Sequence, residues 1–405
     1  MKCCFCSMMY SDPEIDINRS KNPKSISGHK FQYNLVKGLL GNNVDLRVYN
    51  IQRIRFFPYD KKILIKKSDY VIDGKSVGID IPYINIPFLN YFSQRVKLRR
   101  YLNKYILQNS NENIVLLVFN THFIQSKVVL SLKRKYPRII TCNVVGDMYG
   151  EYGLKVTSKG LQKYWQGFVE KQQEKMQNGF DKYVLLSPAM REALGVSEDN
   201  CTVVEGFYDD EIISNYDISI GNDTIDKKVI FYAGSLKKSY GIEHLLRAFE
   251  LIKKENYFLY VAGSGDGEEL VKEYALKDNR IKYLGLLSPQ DVHLYQSNST
   301  VLISPRTSEE TFVKYSFPSK TFECLASGKP YIAHRLPCEP DEYGDYIQYP
   351  RDESNEALSD EIVRVCEMEY SERKRIGEIS QQFIKEKKNT RVMCKRICDL
   401  LDSCF

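Results

Sequence analysis

An α/β fold built as two doubly wound units is predicted by three observations. Short apolar runs recur along the chain, each ends in a polar or glycine-containing loop, and most lead into a segment of helical period. The alternation restarts at Val229 after residues 214–228, which are rich in Asp, Asn, Ser and Gly and so read as a linker between domains. A length of 405 residues supports this division, since one hydrophobic core rarely serves so long a chain.

Composition narrows the function. A formal net charge of +6 permits contact with phosphate or anionic lipid without calling for nucleic acid, for which no binding signature occurs. The eleven cysteines are odd in number and lack paired zinc spacing, which fits reduced thiols. Cys3, Cys4 and Cys6 sit in the first apolar run with no histidine beside them, so no metal is expected there. The N-terminus has no signal-peptide core, and no apolar run reaches about eighteen residues. The expected location is cytoplasmic, or peripheral on the cytoplasmic face of the membrane.

The first half opens with a buried strand over 2–9, followed by a long polar loop over 11–27, a place where function often lies. Gly28 and His29 begin a helix whose Phe31, Leu35, Val36 and Leu39 share a face and which Gly41 closes. A second strand is expected over 44–48. Beyond it Arg53, Arg55, Lys61, Lys62, Lys66 and Lys67 interleave with Ile54, Phe56, Phe57, Tyr59, Ile63 and Ile65. Arg95, Lys97, Arg99, Arg100 and Lys104 then accompany Phe92, Val96, Tyr101 and Ile106. Cations among aromatics suit an anionic bilayer surface; a solvated charged face is the plainer alternative.

Residues 114–119 form a continuous apolar strand with Asn120, Thr121 and His122 at its end, and a helix follows over 126–135. A strand over 139–145 runs directly into Gly146 and Asp147. A carboxylate leaving a strand end beside glycine is placed to face a cleft; capping of a local turn is the alternative for Asp147. A polar helix over 161–178 holds Trp165, a strand over 183–186 leads to Ser187 and a helix reaching Leu194, and residues 202–206 complete the strands of a first domain spanning 1–213.

The second domain, 229–376, starts with a strand over 229–233 and a loop over 234–241 carrying Gly234, Ser235, Lys237 and Lys238, then a helix over 242–252. A strand over 257–262 ends in a turn with Gly263 and Gly265, where glycine serves either a phosphate or simply a tight bend. A strand over 281–283, a loop holding Leu286 and a helix over 291–296 follow. Residues 301–330 then change character twice. Val301 to Ser304 is a buried strand that Pro305 and Arg306 end, 307–316 is a polar loop, and Pro318 starts a helix of about three turns stopped by Gly328 and Pro330. Residues 316–320 combine free N–H groups with the Lys320 ammonium, an expected anion pocket at a sheet edge, and Glu323 one turn on can accept from a sugar hydroxyl pair. Phosphate plus ribose is the ligand implied; a surface pair of Lys320 with Glu323 is the alternative. A strand over 331–333, a loop with Asp341 and Glu342, and an amphipathic helical tail over 377–405 complete the chain.

The run FPSKTFECLASGKP resembles the signature helix of the retaining GT-B glycosyltransferases of family 4, in its bacterial polysaccharide-type FPSK variant. Phe317, Pro318, Glu323, Ala326, Gly328 and Pro330 match the pattern, whereas its first Glu falls on Tyr315. The resemblance implies two Rossmann-like domains facing a cleft, with the C-terminal helix crossing back onto the first. It also implies transfer of a sugar, with retention, from a nucleotide-diphosphate sugar to a glycan or lipid-linked glycan acceptor in cell-surface polysaccharide synthesis. The donor would meet Gly28, Gly234, Ser235, Lys237, Lys238, Gly263, Gly265, Leu286, Tyr315, Ser316, Phe317, Pro318, Ser319, Lys320 and Glu323. His29 would stand on the acceptor side, with Asp147 and then His122 as candidates near the reacting carbon. The family's Arg and Lys on the first loop of the second domain fall on Ser235 and Tyr240, which shifts the charge to Lys237, Lys238 and Lys320. No Asp-x-Asp occurs, so no metal or other cofactor is implied, and helix dipole and lysines would stabilise the leaving group. A sugar-nucleotide epimerase on the same fold and a non-catalytic nucleotide-binding protein are the alternatives.

Overall fold

The computed structural model describes residues 1–10, 26–55, 57–149, 161–208 and 227–405. The expected loop over 11–27 and linker over 214–228 lie largely outside the described residues, as does Phe56. Contacts divide the chain into two units, Met1–Phe207 with Thr390–Phe405, and Tyr208–Asn389.

Unit one contains β1 (Lys2–Ser7), β2 (Asp45–Asn50), β3 (Leu64–Ile65), β4 (Ser68–Ile72), β5 (Lys75–Asp80), β6 (Tyr83–Ile84), β7 (Ile114–Phe119), β8 (Ile140–Val145), β9 (Lys182–Leu185) and β10 (Cys201–Val203). Its main sheet runs β10-β9-β8-β7-β1-β2-β5-β4, parallel except for β4 against β5, and β3 pairs with β6 in a separate ribbon. From β1 the chain winds to β2 on one side and later to β7 on the other, so the topological switch point lies between β1 and β7. The strands are buried on both faces, and Phe5, Leu35, Leu39, Leu117, Val144 and Ile397 share one core. Cys3, Cys4 and Cys6 are fully buried in β1, and desolvation pushes the Cys3 thiol up to about 12, so it packs as a small neutral hydrophobe.

The charged stretch after β2 separates into the β3–β6 ribbon, the β4–β5 hairpin and the helix Leu89–Gln108. The hairpin was not anticipated, although Asp73-Gly74, both at positive φ (49° and 74°), is its turn signal. The helix turns Leu98, Leu102 and Ile106 inward and leaves Phe92 and Val96 exposed.

The tail read as one helical segment is two helices, Tyr370–Lys387 and Thr390–Asp402, and only the second belongs to unit one. The Asn389 amide donates to the Lys385 carbonyl at 2.7 Å and so caps the first of them. Helix Thr390–Asp402 presses on helix Ile26–Gly41 so closely that a Cβ on Gly38 would lie 2.3 Å from Cys394 Sγ.

Unit two holds β11 (Lys228–Ser235), β12 (Tyr257–Ser264), β13 (Ile281–Gly285), β14 (Val301–Ser304) and β15 (Tyr331–Ala333) in the all-parallel order β13-β12-β11-β14-β15. Its switch point lies between β11 and β14. One face is packed by Leu245, Leu246, Phe249 and Ile362, the other by Phe322, Leu325, Tyr343 and Phe383. Ile362 comes from a helix the sequence reading omitted, Asn355–Glu367, whose N-cap Ser354 accepts from the Ala357 N–H at 3.1 Å. Near the end of this unit Lys388 is fully buried, paired with Glu342 at 2.5 Å and held 4.6 Å from the Tyr343 ring centre.

Candidate functional site

In both units the polar side chains gather where a doubly wound sheet receives ligands, at the C-terminal strand ends beside the switch point. In unit one the loop after β1 is pinned by Gln32, which accepts from the Met8 N–H at 3.1 Å and donates to the Gly28 carbonyl at 3.0 Å. Asn50 accepts from the Met9 N–H at 2.8 Å and donates to buried Asp80 at 2.8 Å, tying the end of β2 to that of β5. Gly28 and His29 occupy the first turn of helix Ile26–Gly41. His29 is buried, and its Nδ1 accepts from the Tyr10 N–H at 3.3 Å. On the other side of β1, Asn120 and Thr121 follow β7 in left-handed conformations (φ 57° and 45°). Two neighbouring non-glycine residues in that region store strain that surrounding contacts must sustain. They are held by Asn143, which donates to Thr121 Oγ1 at 2.7 Å, by Gln173, which donates to the Thr121 carbonyl at 3.1 Å, and by the Tyr149 hydroxyl on the Asn120 carbonyl at 2.9 Å.

This strained turn positions the next two candidates. His122 sits at the N-cap of helix Phe123–Lys135 and does not cap it with its side chain. Burial first, and the Arg53 charge second, push both His29 and His122 down to about 4, so both imidazoles are neutral acceptors or donors at neutral pH. Asp147 is exposed, and its Oδ2 accepts from Asn120 Nδ2 at 2.7 Å while its N–H donates to Asn120 Oδ1 at 2.7 Å. The carboxylate therefore bonds across from β8 to the loop after β7 instead of capping its own turn. Arg53 and Asn120 join this group without having been singled out; an Asn directly after a buried strand was the available signal for the second.

In unit two the loops after β11, β12 and β14 share one edge. Gly263, at φ +136°, brings its backbone so near β11 that a Cβ would lie 1.8 Å from the Gly234 carbonyl oxygen. Cβ atoms on Gly265 and Gly267 would fall 2.5 Å from the Leu236 carbonyl carbon and 2.6 Å from Ile242 Cγ2. These glycines thus let two loops of the protein meet, which is the conformational reading of the turn. Of the basic groups, Lys237 and Lys238 are exposed, with the Lys238 N–H bonded to Asp266 Oδ1 at 2.8 Å and Lys237 Nζ 5.5 Å from the Tyr240 ring centre. Ser235 ends β11, and its carbonyl accepts from the Tyr232 hydroxyl at 2.8 Å. Leu286 is 78% exposed on the loop after β13.

The 301–330 stretch departs from expectation in two details. The polar loop contains a 3-10 turn, Thr311–Tyr315, and the helix is shorter than three turns, seven residues over Lys320–Ala326, because Pro318 and Ser319 form a preceding turn without a side-chain cap. Tyr315 and Ser316 are half-buried and Ser319 is exposed. Phe317 is committed to the core, with its ring 5.4 Å from Phe322 and 5.3 Å from Tyr343. Lys320 Nζ lies 2.5 Å from Glu323 Oε2, so the ammonium and the carboxylate expected to meet different parts of a ligand are joined as an i,i+3 pair. A residue not singled out for chemistry follows the strand that opens this stretch: Arg306, buried directly after β14.

Residues 219–383, which lie within unit two, match the family model described as glycosyl transferases group 1. A probable glycosyltransferase, WbjE, of Pseudomonas aeruginosa is 30% identical over 109 residues, covering 26% of this chain and 27% of that one. An uncharacterized glycosyltransferase of Methanocaldococcus jannaschii is 26% identical over 111 residues with the same coverage. The chain therefore spans only about a quarter of the length of these curated relatives. Among solved structures, sucrose-phosphate synthase from Thermosynechococcus elongatus superposes with a TM-score of 0.66 at 16% identity, covering 100% of this chain and 99% of the other. HepE of Anabaena, solved with UDP, gives 0.63 at 14% identity with 100% of both chains covered. At such identities the likeness shows the fold, two Rossmann-like domains of GT-B type.

Proposed function

We propose that the chain is a glycosyltransferase that moves a sugar, with retention, from a nucleotide-diphosphate sugar bound by unit two to a glycan or lipid-linked glycan acceptor bound by unit one. One observation carries this reading: the glycosyl transferase group 1 match, residues 219–383, falls on the sheet whose loop-bearing edge gathers Lys237, Lys238, Lys320 and Glu323. Glu323 accepts from the ribose hydroxyls, and Lys320, released from its pair with Glu323, faces the diphosphate as the leaving group departs. The sequence has no Asp-x-Asp, which favours lysines over a metal in that role. In unit one Asp147, oriented by Asn120, positions the acceptor hydroxyl or stabilises charge on the sugar ring, and His122 and His29 serve as neutral hydrogen-bonding groups.

The test is product analysis by mass spectrometry with UDP-, GDP- and ADP-sugars, with and without acceptor glycans, coupled to calorimetric titration of the donor. Transfer or slow donor hydrolysis is expected, and Glu323→Gln should weaken donor binding by about 10- to 100-fold, the worth of one or two hydrogen bonds to a charged group. An isomerised donor sugar formed without acceptor would instead identify an epimerase, and no nucleotide sugar bound at all would sink the proposal.

A membrane-surface acceptor is the finer part of this reading. Helix Leu89–Gln108 contains no acidic residue and exposes Phe92 and Val96 among Arg95, Lys97, Arg99, Arg100 and Lys104. Phe88, 73% exposed, stands at its start, and the β3–β6 ribbon adds exposed Leu64 and Ile84 next to Lys61, Lys62, Lys66 and Lys67. No helix among the described residues is long and apolar enough to cross a membrane. Apolar side chains set among cations suit insertion at an anionic interface, at about 1 kcal/mol of attraction per cation. Reversing the four lysines 61, 62, 66 and 67 to glutamate should abolish sedimentation with phosphatidylserine-containing vesicles. Unchanged sedimentation would remove the membrane from the proposal.

A further inference from the structure

Unit two contains a buried cation, two of whose nitrogens find no acceptor among the described residues. Arg306 follows β14 and Pro305 beside the switch point between β11 and β14, and 6% of it is exposed. Its Nε and Nη2 reach no hydrogen-bond partner among the described residues. Aromatic and thiol groups surround it among the described residues: the guanidinium carbon lies 5.0 Å from the Tyr240 ring centre and 4.8 Å from that of Phe312, and Tyr232, Tyr331 and Cys338 lie further around it. Ring faces attract a guanidinium but leave its N–H edge unsatisfied, and a buried charge in that condition is costly. A native protein that keeps such a group gives reason to look for its partner outside the chain.

The loop opposite is built around this residue. Gly241, at φ +82°, admits the Pro305 carbonyl oxygen to within 2.1 Å of where a Cβ would stand, so the 234–241 loop is pressed onto Pro305-Arg306. The same Tyr240 ring has Lys237 Nζ at 5.5 Å, so two cations converge on one ring. We propose that Arg306 is the residue that binds the phosphoryl anion of the ligand of unit two, a diphosphate on the reading above, on which the naming of that anion rests. Tyr240 and Phe312, whose ring centres are 6.0 Å apart, both flank the guanidinium on one side, and its planar fork offers paired donors to two phosphate oxygens, which a lysine cannot reproduce. Arg306 thereby supplies, from the next strand end, the charge that Ser235 and Tyr240 do not.

The full-length protein and its Arg306→Met and Arg306→Lys variants are titrated calorimetrically with UDP, GDP and ADP, the matching nucleosides, and inorganic pyrophosphate, and their thermal unfolding is followed without ligand. Arg306→Met should unfold at the wild-type temperature or above it, because an unpaired buried charge gives way to an apolar chain of similar reach. Its affinity for the preferred nucleoside diphosphate should fall about 30- to 300-fold with nucleoside affinity unchanged, and Arg306→Lys should lie between. Diphosphate affinity within threefold of wild type in Arg306→Met would overturn the assignment while leaving the nucleotide-sugar reading intact. So would equal losses for nucleoside and diphosphate together with a lower unfolding temperature, the signature of a structural role. Arginine-dependent binding of pyrophosphate without binding of any nucleoside diphosphate would uphold Arg306 and remove the nucleotide-sugar reading. Binding of none of these ligands by the wild type would overturn both.

Discussion

Gly263→Ala is expected to prevent unit two from folding, or to lower its stability by roughly 4 kcal/mol or more, among the largest effects a single methyl group can have. The added carbon would stand 1.8 Å from the Gly234 carbonyl oxygen, at a φ of +136° that side chains rarely adopt. The obstacle is backbone, not a side chain that can rotate aside, because Gly234 is the parallel partner of Gly263 between β11 and β12. Relief would mean separating two central strands. Gly285→Ala is the control: it also has positive φ, +69°, but open space where the Cβ would go, so only the conformational cost of about 1 kcal/mol applies. Urea unfolding of the two variants tests the contrast, and a Gly263→Ala protein within 1 kcal/mol of Gly285→Ala would show that the two loops are not in contact.

Stability is expected to fall as pH drops from about 6.5 towards 4, before most carboxylates titrate. Burial pushes His29, His122 and His334 down to about 4 in the folded chain. Their unfolded values lie near 6.5, so between the two the unfolded state binds more protons and gains on acidification. The stabilisation is complete above pH 6.5 and is lost progressively down to 4. The geometry supplies the cause: protonating His29 Nδ1 breaks its bond from the Tyr10 N–H, and His334 Nε2 faces His244 Nε2 at 2.9 Å, a gap that accommodates one proton and not two. One unit of depression is worth about 1.4 kcal/mol, so each fully buried imidazole withdraws on the order of 3 kcal/mol over the window, and half-exposed His122 less. Urea midpoints at pH 7, 6 and 5 should decline in the wild type and flatten in part in His29→Gln and His334→Gln. Parallel declines in all three proteins would show that these imidazoles are not the source.

Much of the fold was legible because its strands are short and buried on both faces. Ile114–Phe119, Val301–Ser304 and Tyr331–Ala333 fall where the apolar runs end in polar or proline-containing turns. Elements whose pattern is mixed were harder to read. The β4–β5 hairpin lies at the edge of its sheet, β4 alternating buried with exposed positions and β5 running from exposed to buried, and helix Asn355–Glu367 buries Ser359 and Glu361 beside its apolar residues, which blurs its stripe. The candidate site divided in the same way. Glu323 and Lys320 were visible from helix spacing, but their mutual pairing, the burial of Phe317 and the seclusion of Arg306 depend on side chains from other strands and helices.

Local order was thus written in the residues themselves: apolar period, Gly and Pro breakers and cap residues specify where a strand or helix begins and ends, because they act over a few neighbouring positions. Strand order was decided only in three dimensions. Whether β7 joins β1 or another edge follows from long-range pairing and the hand of the crossovers, and these create the two switch points at which Asn120, Asp147 and Arg306 meet their neighbours. Arg306 shows the difference most plainly. In the sequence it is one basic residue after a strand; packed against the rings of Tyr240 and Phe312, with its N–H edge unsatisfied among the described residues, it becomes a charge that calls for an anion.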